Sequence, residues 1–152
     1  MNKRDYYEQN IVKKCDICGQ VVITDMYGNG TCEHCGWEQD ESATENPDKV
    51  IYPNLVSFNR GKKLIKENKK LTPSFEEFIE GLYCYKEMQF YYKNKLYGVL
   101  WLQDSIDFYE YNIIESLGLY KTIEEFAAKA NINGVLLKDI WDKTENAGYM
   151  TH

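Results

Sequence analysis

Cys15-Asp16-Ile17-Cys18-Gly19 is answered downstream by Cys32-Glu33-His34-Cys35-Gly36, and the two turns enclose a segment carrying Gly28 and Gly30. Two residues between thiolates let one tight turn aim both sulfurs at a common point, and the glycine that follows lets the backbone fold back toward them. Two such turns supply four sulfurs, and the thirteen residues between Cys18 and Cys32 suit a β-hairpin that brings the turns together. The pattern reads as a zinc ribbon, with one Zn2+ per chain on Cys15, Cys18, Cys32 and Cys35. Four protein ligands leave no open coordination position, so an ion held this way builds structure and has no place for water or substrate. A disulfide pair or a thioredoxin-like redox motif is the competing reading, but a single Cys-x-x-Cys serves redox and two do not. His34 lies inside the second turn at a position that points away from the metal, and it reads as a bystander.

Outside that stretch, 152 residues with 43% hydrophobic and 28% charged content suffice for a mini-domain plus a small core. No apolar run approaches the roughly eighteen residues of a membrane span, and Met1 to Tyr7 has no apolar stretch behind its charges. With four cysteines in metal spacing and one left over, the expectation is a cytoplasmic protein. The odd cysteine, Cys84, sits among Leu82, Tyr83 and Tyr85 and reads as a small buried hydrophobe.

The net charge of −6 hides segregation along the chain. Residues 15–48 carry eight acidic and no basic side chains, whereas residues 49–71 carry seven basic and one acidic. Residues 72–152 return to thirteen acidic against seven basic. An acidic whole argues against a protein that coats nucleic acid, because phosphate binding needs a positive contact surface. The basic block leaves one route to such binding.

Ahead of the first cysteine, Tyr6, Tyr7, Ile11 and Val12 show no period and read as an irregular or short helical lead-in. Gln20 to Asp25 with the Tyr27-Gly28-Asn29-Gly30 turn and Thr31 reads as the ribbon's hairpin. Trp37 is placed to cover the metal or to dock the ribbon, and Glu38 to Pro47 reads as an acidic loop. Ser57 is a fitting N-cap for a basic amphipathic helix running to about residue 70. Phe58, Leu64 and Ile65 fall on one side of it, while Lys62, Lys63, Lys66, Lys69 and Lys70 crowd the other.

Two segments here resemble a known family. Cys32-Glu33-His34-Cys35-Gly36-Trp37-Glu38-Gln39-Asp40 is similar to the Cys-x-x-Cys-x-Trp-Glu-Asp-Asp stretch of the bacterial cysteine-rich CPCC family. Asn54-Leu55-Val56-Ser57-Phe58-Asn59-Arg60-Gly61-Lys62 resembles that family's Asn-x-x-Ser-Leu-x-x-Ala-Arg opening of a helix. The resemblance spans about residues 13–68 and departs at the name-giving Cys-Pro-Cys-Cys, where this chain has Cys15-Asp16-Ile17-Cys18. It implies the metal and the helix and carries no activity.

Beyond Thr72-Pro73, Ser74 with Glu77 forms a capping box for a helix from Phe75 to Leu82 whose buried face is Phe75, Phe78, Ile79 and Leu82. Glu87–Tyr92, Leu96–Leu102 and Ile106–Tyr111 alternate as the strands of a three-stranded antiparallel meander. Helices at Ile123–Ala130, capped by Thr122, and at Val135–Trp141, after the Asn133-Gly134 turn, are expected to cover it. The fold class is therefore α+β: a zinc ribbon (1–48), a basic amphipathic helix or connector (49–72), and a small α+β domain (73–152).

No Gly-rich phosphate loop, Ser-centred elbow or placed His–nucleophile pair occurs, and the second histidine is the last residue, so no catalytic residue is assigned. The C-terminal half resembles small uncharacterised bacterial immunity-like proteins, which implies a protein partner. Tyrosine offers an apolar face with a polar tip, which suits such contacts. The candidate partner-binding residues are Tyr91, Tyr92, Tyr97, Asp104, Asp107, Tyr109 and Glu110. The alternatives are a nucleic-acid-binding ribbon using Arg60, Lys62, Lys63, Lys66, Lys69 and Lys70, and an enzyme of unrecognised type. No membrane role is expected.

Overall fold

Val21, Val22, Ile23 and Thr24 are β-branched and alternate in burial, with Val22 and Thr24 inside, as a half-buried strand requires. In the computed structural model, which describes residues 11–149, this strand (β2, Val21–Thr24) does not pair across the Gly28 turn as expected. It pairs antiparallel with β1 (Ile11–Lys14), with Ile11 opposite Thr24 and Lys14 opposite Val21. The expected lead-in is thus a strand; Tyr6 and Tyr7 lie outside the described residues. A second hairpin joins β3 (Gly30–Thr31) to β4 (Glu38–Gln39). Each Cys-x-x-Cys-Gly turn therefore closes its own hairpin. The segment between them is a tight turn in which the Asp25 carboxylate accepts from the Tyr27 and Asn29 amides at 2.8 and 3.0 Å. A Cβ on Gly30 would lie 2.7 Å from the Ile23 carbonyl oxygen, so glycine lets β3 pass close against β2 there.

The acidic stretch expected as a loop contains β4 and a short helix, α1 (Glu41–Glu45), whose N-cap Asp40 accepts from the Ser42 amide at 2.8 Å. It holds Ala43 in the core. The basic helix α2 (Phe58–Lys66) starts at its expected cap, with the Arg60 amide donating to the Ser57 hydroxyl at 3.3 Å. It stops before the last two lysines. Asn68 takes φ 57°, its amide donates to the Ile65 carbonyl (3.0 Å), and the Lys69 amide donates to Leu64 (2.8 Å), a Schellman closure. Val56 and Leu64 share one core with Cys15, Val22, Cys32, Trp37 and Ala43. These elements form the first compact unit, which ends at Leu71.

The second unit begins at Thr72. Its helix α3 (Phe75–Gly81) carries the full capping box: the Glu77 amide donates to the Ser74 hydroxyl and the Ser74 amide to the Glu77 carboxylate. The sheet has five strands, in the order β11-β5-β6-β7-β8, all antiparallel. Strands β5 (Glu87–Tyr92), β6 (Lys95–Trp101) and β7 (Ile106–Glu110) are the expected meander, and β8 (Ser116–Tyr120) and β11 (Glu145–Tyr149) extend it on either side. On one face Met88, Phe90, Tyr97, Val99, Ile106 and Phe108 are buried. Phe78 of α3 meets Phe90 edge-on at 5.9 Å, and Phe126 of α4 (Ile123–Lys129) meets Phe108 at 5.7 Å. Trp141 closes the same layer, 4.4 Å from the Phe78 ring, with its indole N–H donating to the Pro73 carbonyl.

The segment expected as a helix from Val135 is mostly something else. Asn133 and Gly134 at φ 52° and 86° turn β9 (Asn131–Ile132) back on β10 (Val135–Leu136), and only Leu137–Ile140 (α5) is helical before a 3-10 turn at Trp141–Lys143. Two residues with positive φ commit the chain to a tight hairpin, and a hairpin needs Val135 as a strand. Cys84 is exposed rather than buried. Past Gly81 the chain turns, Tyr85 takes the inside position, and Tyr83 and Cys84 face water.

Candidate metal centre

Both cysteine turns close the same way. Gly19 donates to the Cys15 carbonyl (3.0 Å) and Gly36 to that of Cys32 (2.8 Å), with the glycines at φ 78° and 83°. One step further out, the Cys15 amide reaches the Gln20 carbonyl (2.7 Å) and the Cys32 amide the Trp37 carbonyl (2.9 Å). Two copies of one turn thus face each other across the hairpins. All four sulfurs lie within 4.8 Å of one another, and two pairs cross between the turns, Cys15 to Cys35 and Cys18 to Cys32, each at 3.6 Å. A tetrahedron of sulfurs about 2.3 Å from a central ion has edges of about 3.8 Å. The spacing fits such an ion, and among the described residues no other cluster of His, Cys, Asp or Glu is drawn together in this way. His34 is exposed and stands outside it.

The sulfurs are not equivalent. Burial pushes the Cys15 thiol up, but hydrogen bonds from the Cys18 and Ile17 amides, the Gln39 side chain and Cys35 outweigh it and bring it down to about 7. Burial drives Cys35 well above the ordinary thiol value, helped by Cys15 and Cys32 beside it, and burial also raises Cys18. Cys15 is therefore the readier thiolate, and a cation must displace the protons that burial holds on Cys18 and Cys35. Trp37 is fully buried in the same core, 5.9 Å from the Phe58 ring. Its indole N–H finds no acceptor among the described residues, so the ring acts as an apolar filler.

Two polar side chains complete the site: Asn54 opens the Asn-x-x-Ser segment quoted above, whereas Gln39 stands where that resemblance has Asp. Asn54, 5% exposed, pairs with β4 as a strand would, accepting from the Glu38 amide (3.0 Å) and donating to its carbonyl (2.9 Å). Gln39, 2% exposed, reaches from β4 to Cys15. Gln39 lies two residues after Trp37, on the same side of a strand too short to show a period.

The other candidates scatter. In the basic stretch Lys62, Lys63, Lys66, Lys69 and Lys70 are exposed and Arg60 is half-buried; Lys62 lies over the Phe58 ring at 4.9 Å and Lys69 pairs with Glu67 at 3.3 Å. In the second unit the strand register puts Tyr91, Asp107 and Tyr109 on the sheet face opposite the aromatic layer. Asp104 is exposed in the turn before β7. Tyr97 offers no surface, being 3% exposed and stacked on Phe90 at 5.6 Å. Tyr92 and Glu110 alternate onto the Tyr97 side, and Glu110 pairs with Lys95 at 3.8 Å. Between α3 and α4 lies a groove of about 690 Å3 lined by Phe75, Ile79, Ile123 and Ala127 together with Glu76, Glu124 and Asp139. There the Tyr83 hydroxyl donates to Glu124 at 2.6 Å, which lowers that carboxyl and raises the phenol.

Paired hairpins whose turns present four thiols to one point define the ribbon class of small metal-binding fold. Residues 13–76 match the family described as Cysteine-rich CPCC, the family named above from the sequence. The match runs from β1 through α2 into the start of α3 and takes in all four cysteines. No curated protein and no solved structure matches the chain. No helix among the described residues is long and apolar enough to cross a membrane.

Proposed function

We propose that this protein is a non-enzymatic protein-interaction module in which a structural zinc ion organises the first unit and the second unit meets a basic partner, in the manner of an immunity or antitoxin protein. The observation that carries this is the bare side of the five-stranded sheet. Tyr91 and Leu119 alternate onto it, 38% and 61% exposed, beside Tyr109 and Asp107, while the rings from α3, α4 and Trp141 stack on the other side. Aromatic rings beside carboxylates suit a cationic protein surface, since tyrosines anchor and the charge steers encounter. The carboxylate excess of residues 72–152 supports the same choice of partner. The zinc supports the fold only, as four thiolates leave it no open position.

The test is to recover the protein from the cell that makes it and to identify what co-elutes. A single basic protein in near-equal amount, lost from the Tyr91→Ala, Asp104→Lys double variant, supports the reading. Recovery of the protein alone, or retention of the partner by that variant, ends it.

The exposed lysines of α2 and its C-terminal turn favour a second reading as a nucleic-acid-binding ribbon. Binding of that kind falls steeply with salt because each phosphate contact releases a counterion. A gel shift of DNA or RNA at low salt, lost on changing Lys62, Lys63 and Lys66 to Glu, supports it, and no shift at low salt discards it.

A further inference from the structure

We infer that Gln39 is a positioning residue of the metal centre: its buried amide yokes the two cysteine turns and holds the sulfur of Cys15 by hydrogen bonding. Its carbonyl oxygen accepts from the Asp16 amide at 3.1 Å, and its nitrogen donates to the Trp37 carbonyl at 3.3 Å and to Cys15 Sγ at 3.3 Å. The orientation of a side-chain amide is settled by partners that can play only one role. Asp16 N–H can only donate and Trp37 C=O can only accept, so the NH2 end must face the sulfur. Gln39 stands on β4, after the second turn, while Asp16 and Cys15 belong to the first. The side chain thus ties one half of the site to the other without being a ligand.

Its preference is also chemical. An N–H donor bonds an anionic sulfur about twice as strongly as a neutral one, so the amide favours Cys15 as thiolate, the form a metal needs. The Ile17 amide, 3.4 Å from the same sulfur, adds a second donor. Cys15 is 4% exposed, so these N–H groups do for its charge what water does for an exposed thiolate. Outer hydrogen bonds of this kind typically change metal affinity by about 10- to 100-fold when removed.

The inference rests on reading the four sulfurs as a metal site, and cobalt(II) separates the two. Wild-type protein titrated with cobalt should show the absorption of a tetrahedral four-thiolate site. The Gln39→Met variant keeps about the length of the side chain but has no N–H for the sulfur. It should bind cobalt about 10- to 100-fold more weakly and move the sulfur-to-cobalt charge-transfer band to lower energy, because a sulfur that loses its donor gives up electrons more readily. Gln39→Leu should shift the band in the same direction. Thr31→Val removes the hydroxyl that bonds Glu38 in the same hairpin, away from the sulfurs, and should leave the band in place. A Gln39→Met protein with wild-type affinity and band overturns the role of Gln39 while the metal site stands. A wild-type protein that shows no four-thiolate spectrum overturns both.

Discussion

Cys84 and the ribbon cysteines are the same side chain in two surroundings, and a thiol reagent should tell them apart. Cys84 is exposed beside a turn, whereas Cys15 and Cys32 are buried and Cys18 and Cys35 half-buried around one point. With metal bound, one thiol per chain should react quickly, and after removal of the metal by a chelator all five should. Correspondingly, Cys84→Ser should retain one zinc per chain by metal analysis and Cys32→Ser should lose it; loss from both would remove the four-sulfur assignment. The pH dependence has a definite sign. Metal needs the ligands deprotonated, and burial holds Cys35 and Cys18 up, so the metal should be retained at neutral and alkaline pH and released on acidification. At this scale the cysteines were fully legible, because their spacing is itself the turn geometry. Gln39 was not, because what selects it is a sulfur 24 residues away in sequence.

Helices with caps and a stripe were legible as elements, and short strands were not. Ser57, Ser74 and Thr122 each accept from the backbone amide three residues on, and in each case the cap marks the start of the helix. Ser74→Ala should therefore lower the stability of the second unit by about 1 kcal/mol, read as a shift in its denaturation midpoint with unchanged slope. Phe78→Ala, which empties the contact with Phe90 and Trp141, should cost about 3–5 kcal/mol. The missed strands have reasons of their own. β8 carries Gly118, where a Cβ would sit 2.7 Å from the Tyr120 hydroxyl, and β11 reads Glu-Asn-Ala-Gly-Tyr with Asn146 at φ 51°. Neither shows a branched, alternating pattern. Each is a strand because its neighbour offers it an edge, which is information from the sheet and not from the segment.

As a whole the chain is two units with separate cores, one gathered around sulfurs and one around aromatic rings. A small ribbon lacks enough apolar surface to fold without its ion, so chelation should unfold the first unit alone. The second unit should keep its near-ultraviolet aromatic signal and its thermal transition. Limited proteolysis of the metal-free protein should leave a resistant fragment beginning near residue 72. A single transition lost all at once on chelation would show that the second unit depends on the metal. The α+β class and the ribbon were legible because the cysteine spacing, the helix caps and the alternating strands follow one another along the chain.

The crossed pairing of the sulfurs also has a mechanical side. Cys15 and Cys35 lie 3.6 Å apart through space and 20 residues apart along the chain, so the ion acts as a buckle over the loop between them. Stretched from its ends, the protein should pay out every other segment while this loop stays stored. Opening the buckle should then appear in a single-molecule pulling trace as one step of about 70 Å, the reach of 20 extended residues. The step should vanish when chelator is added before the pull.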